Sequence, residues 1–156
     1  MKIKSLNILD GVGEVDVVYK FKKSDRQLPT ILSSSDAMKV MEQVFKADKM
    51  GLQEQFVAVF LNRSNKVIGS AHLFSGGVTS TLVDIRIVVA TALKLLTSAV
   101  IVAHNHPSGN LTQSEEDTRI TRRLKEALEL MDIKLLDHLI VGPNNDYFSF
   151  ADTGNL

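Results

Sequence analysis

The 156-residue chain predicts an α/β fold, a mixed β-sheet sandwiched by helices, on three observations. Apolar runs of strand length, Gln55 to Leu61, Lys66 to Phe74, Ala99 to Ala103, Leu135 to Val141 and Tyr147 to Phe150, are interspersed with stretches of helical periodicity. The run Ala99 to Ala103 is short, continuous and β-branched, the pattern of a strand covered on both faces. A chain of this length can also bury about two thirds of the surface its unfolded form exposes, so one domain closes without covalent staples.

The elements follow in order. Val15 to Phe21 alternates enough for a strand, and Lys20, Lys22, Lys23, Asp25 and Arg26 make a charged turn ending at Pro29. Residues 1–30 are therefore expected as a leader strand at a sheet edge, and 31–156 as one compact domain. Ser33, Ser34, Ser35 and Asp36 cap a helix with Ala37, Val40, Met41, Val44 and Ala47 on its apolar face and Glu42, Lys46 and Asp48 outward. Asn62 to Asn65 is a compact hairpin turn between two strands, and Ser75-Gly76-Gly77 ends the second. Val83 to Thr97 is apolar around most of its circumference, which predicts a helix buried between the sheet and other elements. From Ser114 to Met131, Ile120, Leu124, Ala127, Leu128 and Met131 repeat at helical spacing. On its outer side Glu115 with Arg119, Arg122 with Glu126 and Lys125 with Glu129 are opposite charges at i,i+4, so most of this charge is expected to be compensated locally. A turn at Gly142-Pro143-Asn144-Asn145 separates the last two strands.

The chemistry concentrates where the Ala99 to Ala103 run ends. His104 and His106 follow it directly, and side chains two apart on an extended chain share a face. Pro107 pushes His106 out of the helical region and so keeps it extended. Ser108-Gly109-Asn110 turns the chain, and Ser114 is a natural helix N-cap with Asp117 at N3, on the turn that comes back toward the histidines. Two imidazoles and a carboxylate make a three-ligand set for a divalent metal, best matched by zinc, with a fourth position open for water. An open position predicts catalysis and not a purely structural ion.

Composition narrows the classes. Lysine plus arginine number 18 and aspartate plus glutamate 18, so no global positive field recommends the chain to a phosphate backbone, and nucleic acid as a partner would need a local patch. With no cysteine, thiolate metal sites and the Pro-Cys-x-x-Cys half of a zinc nucleobase deaminase are excluded. The N-terminus lacks the apolar core of a signal peptide, and Ile85 to Leu96 is interrupted by Arg86 and Lys94 and too short to span a bilayer. A cytoplasmic protein without a membrane partner is expected.

The spacing His104-x-His106, then seven residues, then Ser114-x-x-Asp117 resembles the zinc signature of JAB/MPN (JAMM) metallopeptidases. The wording His104-Asn-His-Pro-Ser-Gly109, Ile120 to Leu124, Leu136-Asp-His-Leu-Ile-Val-Gly142 and Tyr147 to Phe150 is similar to the RadC-type JAB domain, over roughly Ile31 to the C-terminus. The resemblance implies a cytidine-deaminase-like JAB/MPN fold, zinc as cofactor, and hydrolysis of a peptide or isopeptide amide bond in a peptide or protein substrate. It also brings the label of DNA repair. The family places a glutamate base just before or on an earlier strand, the place matched by Glu54. The Ser114 hydroxyl is then a donor to the oxyanion of the tetrahedral intermediate. Two departures stand out. Met1 to Thr30 does not resemble the helix-hairpin-helix module of many RadC-type proteins, and the family's His-Pro-Arg-Glu segment reads Val83-Asp84-Ile85-Arg86, keeping the arginine alone. The alternative function is a DNA-associated or protein-binding module with a vestigial or structural metal site, motivated by the cluster Arg119 to Lys125. His138, after Asp137 in an apolar strand, is expected as a core or edge histidine hydrogen-bonded to its surroundings, with a place behind the metal ligands as the alternative, and His72 as a strand residue without acidic neighbours; neither is counted as a ligand.

Overall fold

The computed structural model describes residues 27–76 and 83–156. Helix α1 (Ser34–Met41) is followed by one turn of 3-10 helix (Ala47–Lys49), strands β1 (Gln55–Leu61) and β2 (Val67–Ser75), helix α2 (Ile85–Lys94), strand β3 (Ala99–Asn105), helix α3 (Glu115–Glu129), and strands β4 (Lys134–Val141) and β5 (Tyr147–Ser149). The five strands form one sheet in the order β2-β1-β3-β4-β5. β3 and β4 run parallel, joined through α3, while the other neighbours are antiparallel. A parallel pair needs a long crossover and a hairpin does not, so the mixed sheet follows from where the helices fall in the chain.

Period-2 alternation sorts the strands into two cores. Val57, Val59, Leu61, Ala99, Ile101, Ala103, Leu139 and Val141 meet Ala37, Met38 and Met41 of α1 on one face. On the other, Phe56, Ala58, Phe60, Val100, Val102 and Leu135 meet Val88 and Ala92 of α2 and Leu124 and Leu128 of α3. Helices therefore cover both faces, and β1 and β3 are buried along their whole length. The hairpin turn is set by Asn62, whose side-chain oxygen accepts from the backbone N–H of Ser64 at 2.9 Å and of Lys66 at 3.1 Å.

Three expectations need correction. α1 stops at Met41, and Ala47 is exposed at the start of the 3-10 turn instead of extending the apolar stripe. Beyond the helix end, Gln55 accepts from Lys46 N at 2.9 Å and donates to Lys46 O at 3.1 Å, holding that residue extended just before Ala47. α2 is not buried all round. Val88 and Ala92 face the core, but Ile87 and Leu93 are nearly half exposed and Leu96 beyond its end is mostly exposed, because a helix laid on one sheet face keeps an outer side. On α3, Arg119 grips Glu116 at i,i+3, with Nη2 2.7 Å from both carboxylate oxygens, and not Glu115. Residues three apart are helix neighbours as much as residues four apart. The expected leader strand Val15 to Phe21 lies outside the described residues. No described helix is long and apolar enough to cross a membrane.

Candidate metal centre

The site forms at the carboxyl end of β3, where open α/β sheets commonly place their ligands. The His106 N–H donates to Val141 O at 2.9 Å, so the extended chain runs one residue past β3, as a residue before proline favours. His104 and His106 consequently share a face and bring their Nε2 atoms to 2.9 Å. The chain then reverses at Gly109, whose φ of 77° is the left-handed region that glycine adopts freely. That turn sets the Asn110 carbonyl 2.5 Å from His106 Nδ1.

Helix α3 delivers the carboxylate. Ser114 and Asp117 form a capping box: Asp117 N donates to Ser114 Oγ at 3.0 Å, while Asp117 Oδ2 accepts from Ser114 N at 2.8 Å and Ser114 Oγ at 2.7 Å. The other oxygen, Oδ1, lies 3.0 Å from His104 Nε2, and Oδ2 lies 3.8 Å from His106 Nε2. One donor atom from each of His104, His106 and Asp117 falls within 4.8 Å of the others, so the group could hold a metal ion.

Its electrostatics fit a cation. Burial works to raise the pKa of Asp117, yet the hydrogen bond and charge of His104 and the two hydrogen bonds from Ser114 prevail and hold it well below the usual carboxylate range. The carbonyl facing His106 Nδ1 can only accept, so that nitrogen carries the ring proton and Nε2 turns a lone pair to the site. The two ring nitrogens, 2.9 Å apart beside a carboxylate, converge on one point that a cation between them would satisfy. Imidazole and carboxylate donors suit a divalent metal, and zinc among others.

Behind the centre sits His138, fully buried, with Nε2 2.8 Å from His104 Nδ1 and Nδ1 2.6 Å from Thr121 Oγ1. Its ring stacks on Phe150 at 5.0 Å and 11° and meets Phe56 edge-on. Burial first, then the neighbouring His104, pushes its pKa well below that of a free histidine, against an opposing pull from Asp117. The expected core histidine is thus present, and its partner is a candidate ligand, the alternative that the sequence left open. His72 touches Gln55 Oε1 at 2.9 Å and takes no part in the centre. Asp137, next to His138, accepts from Ser149 Oγ, Ala151 N and His138 N, tying β4 to the C-terminal turn; burial raises its pKa despite those bonds.

Asn105, between the two histidines, was missed by sequence reasoning. Fully buried, it accepts from Gln55 N at 2.7 Å and donates to Met50 O at 2.8 Å and Gln53 O at 3.0 Å. These bonds fasten the approach to β1 onto β3. Glu54 lies in that fastened segment, half-buried, its carbonyl accepting from Gly76 N at 2.9 Å. Arg86, the retained arginine, is paired with Asp84, the N-cap of α2, through Nη2 at 2.7 Å.

The RadC-like JAB domain model matches residues 31–155. A UPF0758 protein of Flavobacterium johnsoniae is 38% identical over 164 aligned positions, which cover 99% of this chain and 70% of that protein. A UPF0758 protein of Porphyromonas gingivalis is 45% identical over 104 positions, 67% of this chain and 46% of that protein. The UPF0758 protein YfjY of Escherichia coli is 48% identical over 112 positions, 71% of this chain and 69% of its own. Because the family match takes in every strand and helix described above together with the His104, His106 and Asp117 donors, the chain belongs to the RadC-like JAB domain family.

Proposed function

We propose that the chain is a zinc-dependent hydrolase of JAMM type that cleaves a peptide or isopeptide amide bond. The observation that carries this reading is the convergence of two imidazole nitrogens and one carboxylate within 4.8 Å at the end of a fully buried central strand. Held by His104, His106 and Asp117, zinc would supply Lewis acidity and the means to activate water near neutral pH. The rest of the chemistry falls to side chains.

Glu54 is the general base. Support comes from position: β1 and β3 are antiparallel with Phe56 opposite His104, so Glu54, just ahead of β1, lies toward the end of the sheet that carries His104 and His106. The Asn105 bonds to Met50, Gln53 and Gln55 keep that segment in place. Ser114 is the oxyanion donor, a role in which its O–H turns from Asp117 Oδ2 toward the substrate. Asp117 remains held by Ser114 N when that happens. The DNA-associated alternative draws less support, since Arg119 in its basic cluster is spent on Glu116 and the overall charge is balanced.

The test is metal uptake by chelator-stripped protein, read by elemental analysis and by thermal unfolding with added zinc. One zinc per chain and a raised melting temperature are expected. Absence of both overturns the reading.

A further inference from the structure

Resting on the metal site proposed above, we propose that Thr121 and His138 are positioning residues that lock the tautomer of His104, holding its proton on Nδ1 so that the Nε2 lone pair faces the ligand position. One group in the relay, a backbone carbonyl, has a fixed role. Asp117 O can only accept, and the Thr121 hydroxyl lies 2.5 Å from it, so the single hydroxyl proton goes there. Thr121 Oγ1 can then meet His138 Nδ1, at 2.6 Å, only as an acceptor, and His138 must carry a proton on Nδ1.

A second proton on this ring would make an imidazolium with no exposure to water, walled by Phe56 and Phe150, and its hydrogen-bonding partners are a hydroxyl and another imidazole. An unpaired buried charge of this kind is costly, so His138 is neutral and its Nε2 is a lone pair. Across 2.8 Å that lone pair accepts from His104 Nδ1–H. The relay therefore begins on the backbone of one candidate ligand, Asp117, and ends on the ring of another, His104. Metal-binding histidines are commonly oriented through their second ring nitrogen, usually by a carboxylate, a carbonyl or water. Here the partner is a neutral histidine, which accepts only because Thr121 dictates its own tautomer.

Thr121→Val keeps the side-chain shape and removes the acceptor. His138 Nδ1–H would then be buried without a partner, so the ring proton moves to Nε2, donates to His104 Nδ1 and drives the His104 proton onto Nε2, where the metal should bind. Thr121→Ser keeps the hydroxyl. Long-range proton–nitrogen NMR of the metal-free protein at alkaline pH reads the tautomers, and a zinc titration against a competing chelator reads affinity. Expected are an Nδ1-protonated His104 in the wild type and in Thr121→Ser, an Nε2-protonated His104 in Thr121→Val, and zinc affinity about 10- to 100-fold lower in Thr121→Val alone. A wild-type tautomer and affinity in Thr121→Val overturn the inference, and so does equal loss in Thr121→Val and Thr121→Ser, which would mark a packing effect. Failure of the wild type to take up zinc refutes the metal site, while the tautomer pattern still decides the lock.

Discussion

His104 and His106 offer the same nitrogen to the same point, yet they are held in opposite ways. His104 belongs to the buried strand β3 and is braced from behind by His138 and Thr121 of two other elements. His106 lies just beyond the strand, and its brace is the Asn110 carbonyl in a surface turn five residues long. One candidate ligand is part of the core and the other part of a loop. The difference teaches that the candidate site has a buried wall and an exposed one, so that changes along the loop should reach the site without unsettling the core.

Asp117 bridges the two walls, so its loss should have the largest effect. Asp117→Ala removes a donor, strips Ser114 N of its acceptor and takes away the negative charge against the histidines. Zinc content by elemental analysis should fall to background, and chemical denaturation should show the metal-free protein weakened by roughly 2 to 3 kcal/mol. Full zinc occupancy in this variant would show the ligand assignment to be mistaken.

The two histidines should then separate. Both His104→Ala and His106→Ala should lose zinc, but His104→Ala leaves His138 Nε2 buried without a partner, at a cost of about 1 to 3 kcal/mol. His106→Ala frees a carbonyl in an exposed turn that water can satisfy, so its unfolding midpoint should stay close to wild type. Equal destabilisation would erase the contrast between core and loop.

Gly109→Ala probes the loop wall by itself. An added Cβ meets only Pro143 at ordinary contact distance, 3.7 Å, so the strain comes from the φ of 77° and costs about 1 kcal/mol. Calorimetry should show zinc affinity reduced less than in Thr121→Val, since the Asn110 carbonyl shifts but the core brace stands. Glu54→Gln should leave zinc content unchanged, because it removes a proton acceptor and no ligand. Turnover of any amide substrate should fall about 100- to 10,000-fold. Loss of metal in this variant would move Glu54 from base to ligand.

What the sequence alone determined lies within short reach along the chain. Extended geometry and Pro107 bring His104 and His106 to one face, the Ser114-x-x-Asp117 spacing makes a capping box, and the Asn62 to Asn65 turn joins two strands; each depends on a few neighbouring residues. The apolar stripe predicted through Ala47 is not continued, and the side chain that holds Lys46 extended before it, Gln55, arrives from nine residues away. The apolar circumference of α2 predicts burial all round, but composition reports how apolar a helix is and not how many neighbours it will have. The partnership of His138 with His104 depends on the parallel register of β3 and β4, which sets Val102, two residues before His104, beside His138 and shifts at Val100 and Ile101. Asn105 likewise shows its purpose only when β1 lies alongside. Local sterics and hydrogen bonds are written in adjacent residues, whereas the braces behind the metal centre come from strands whose register is decided by packing across the whole sheet.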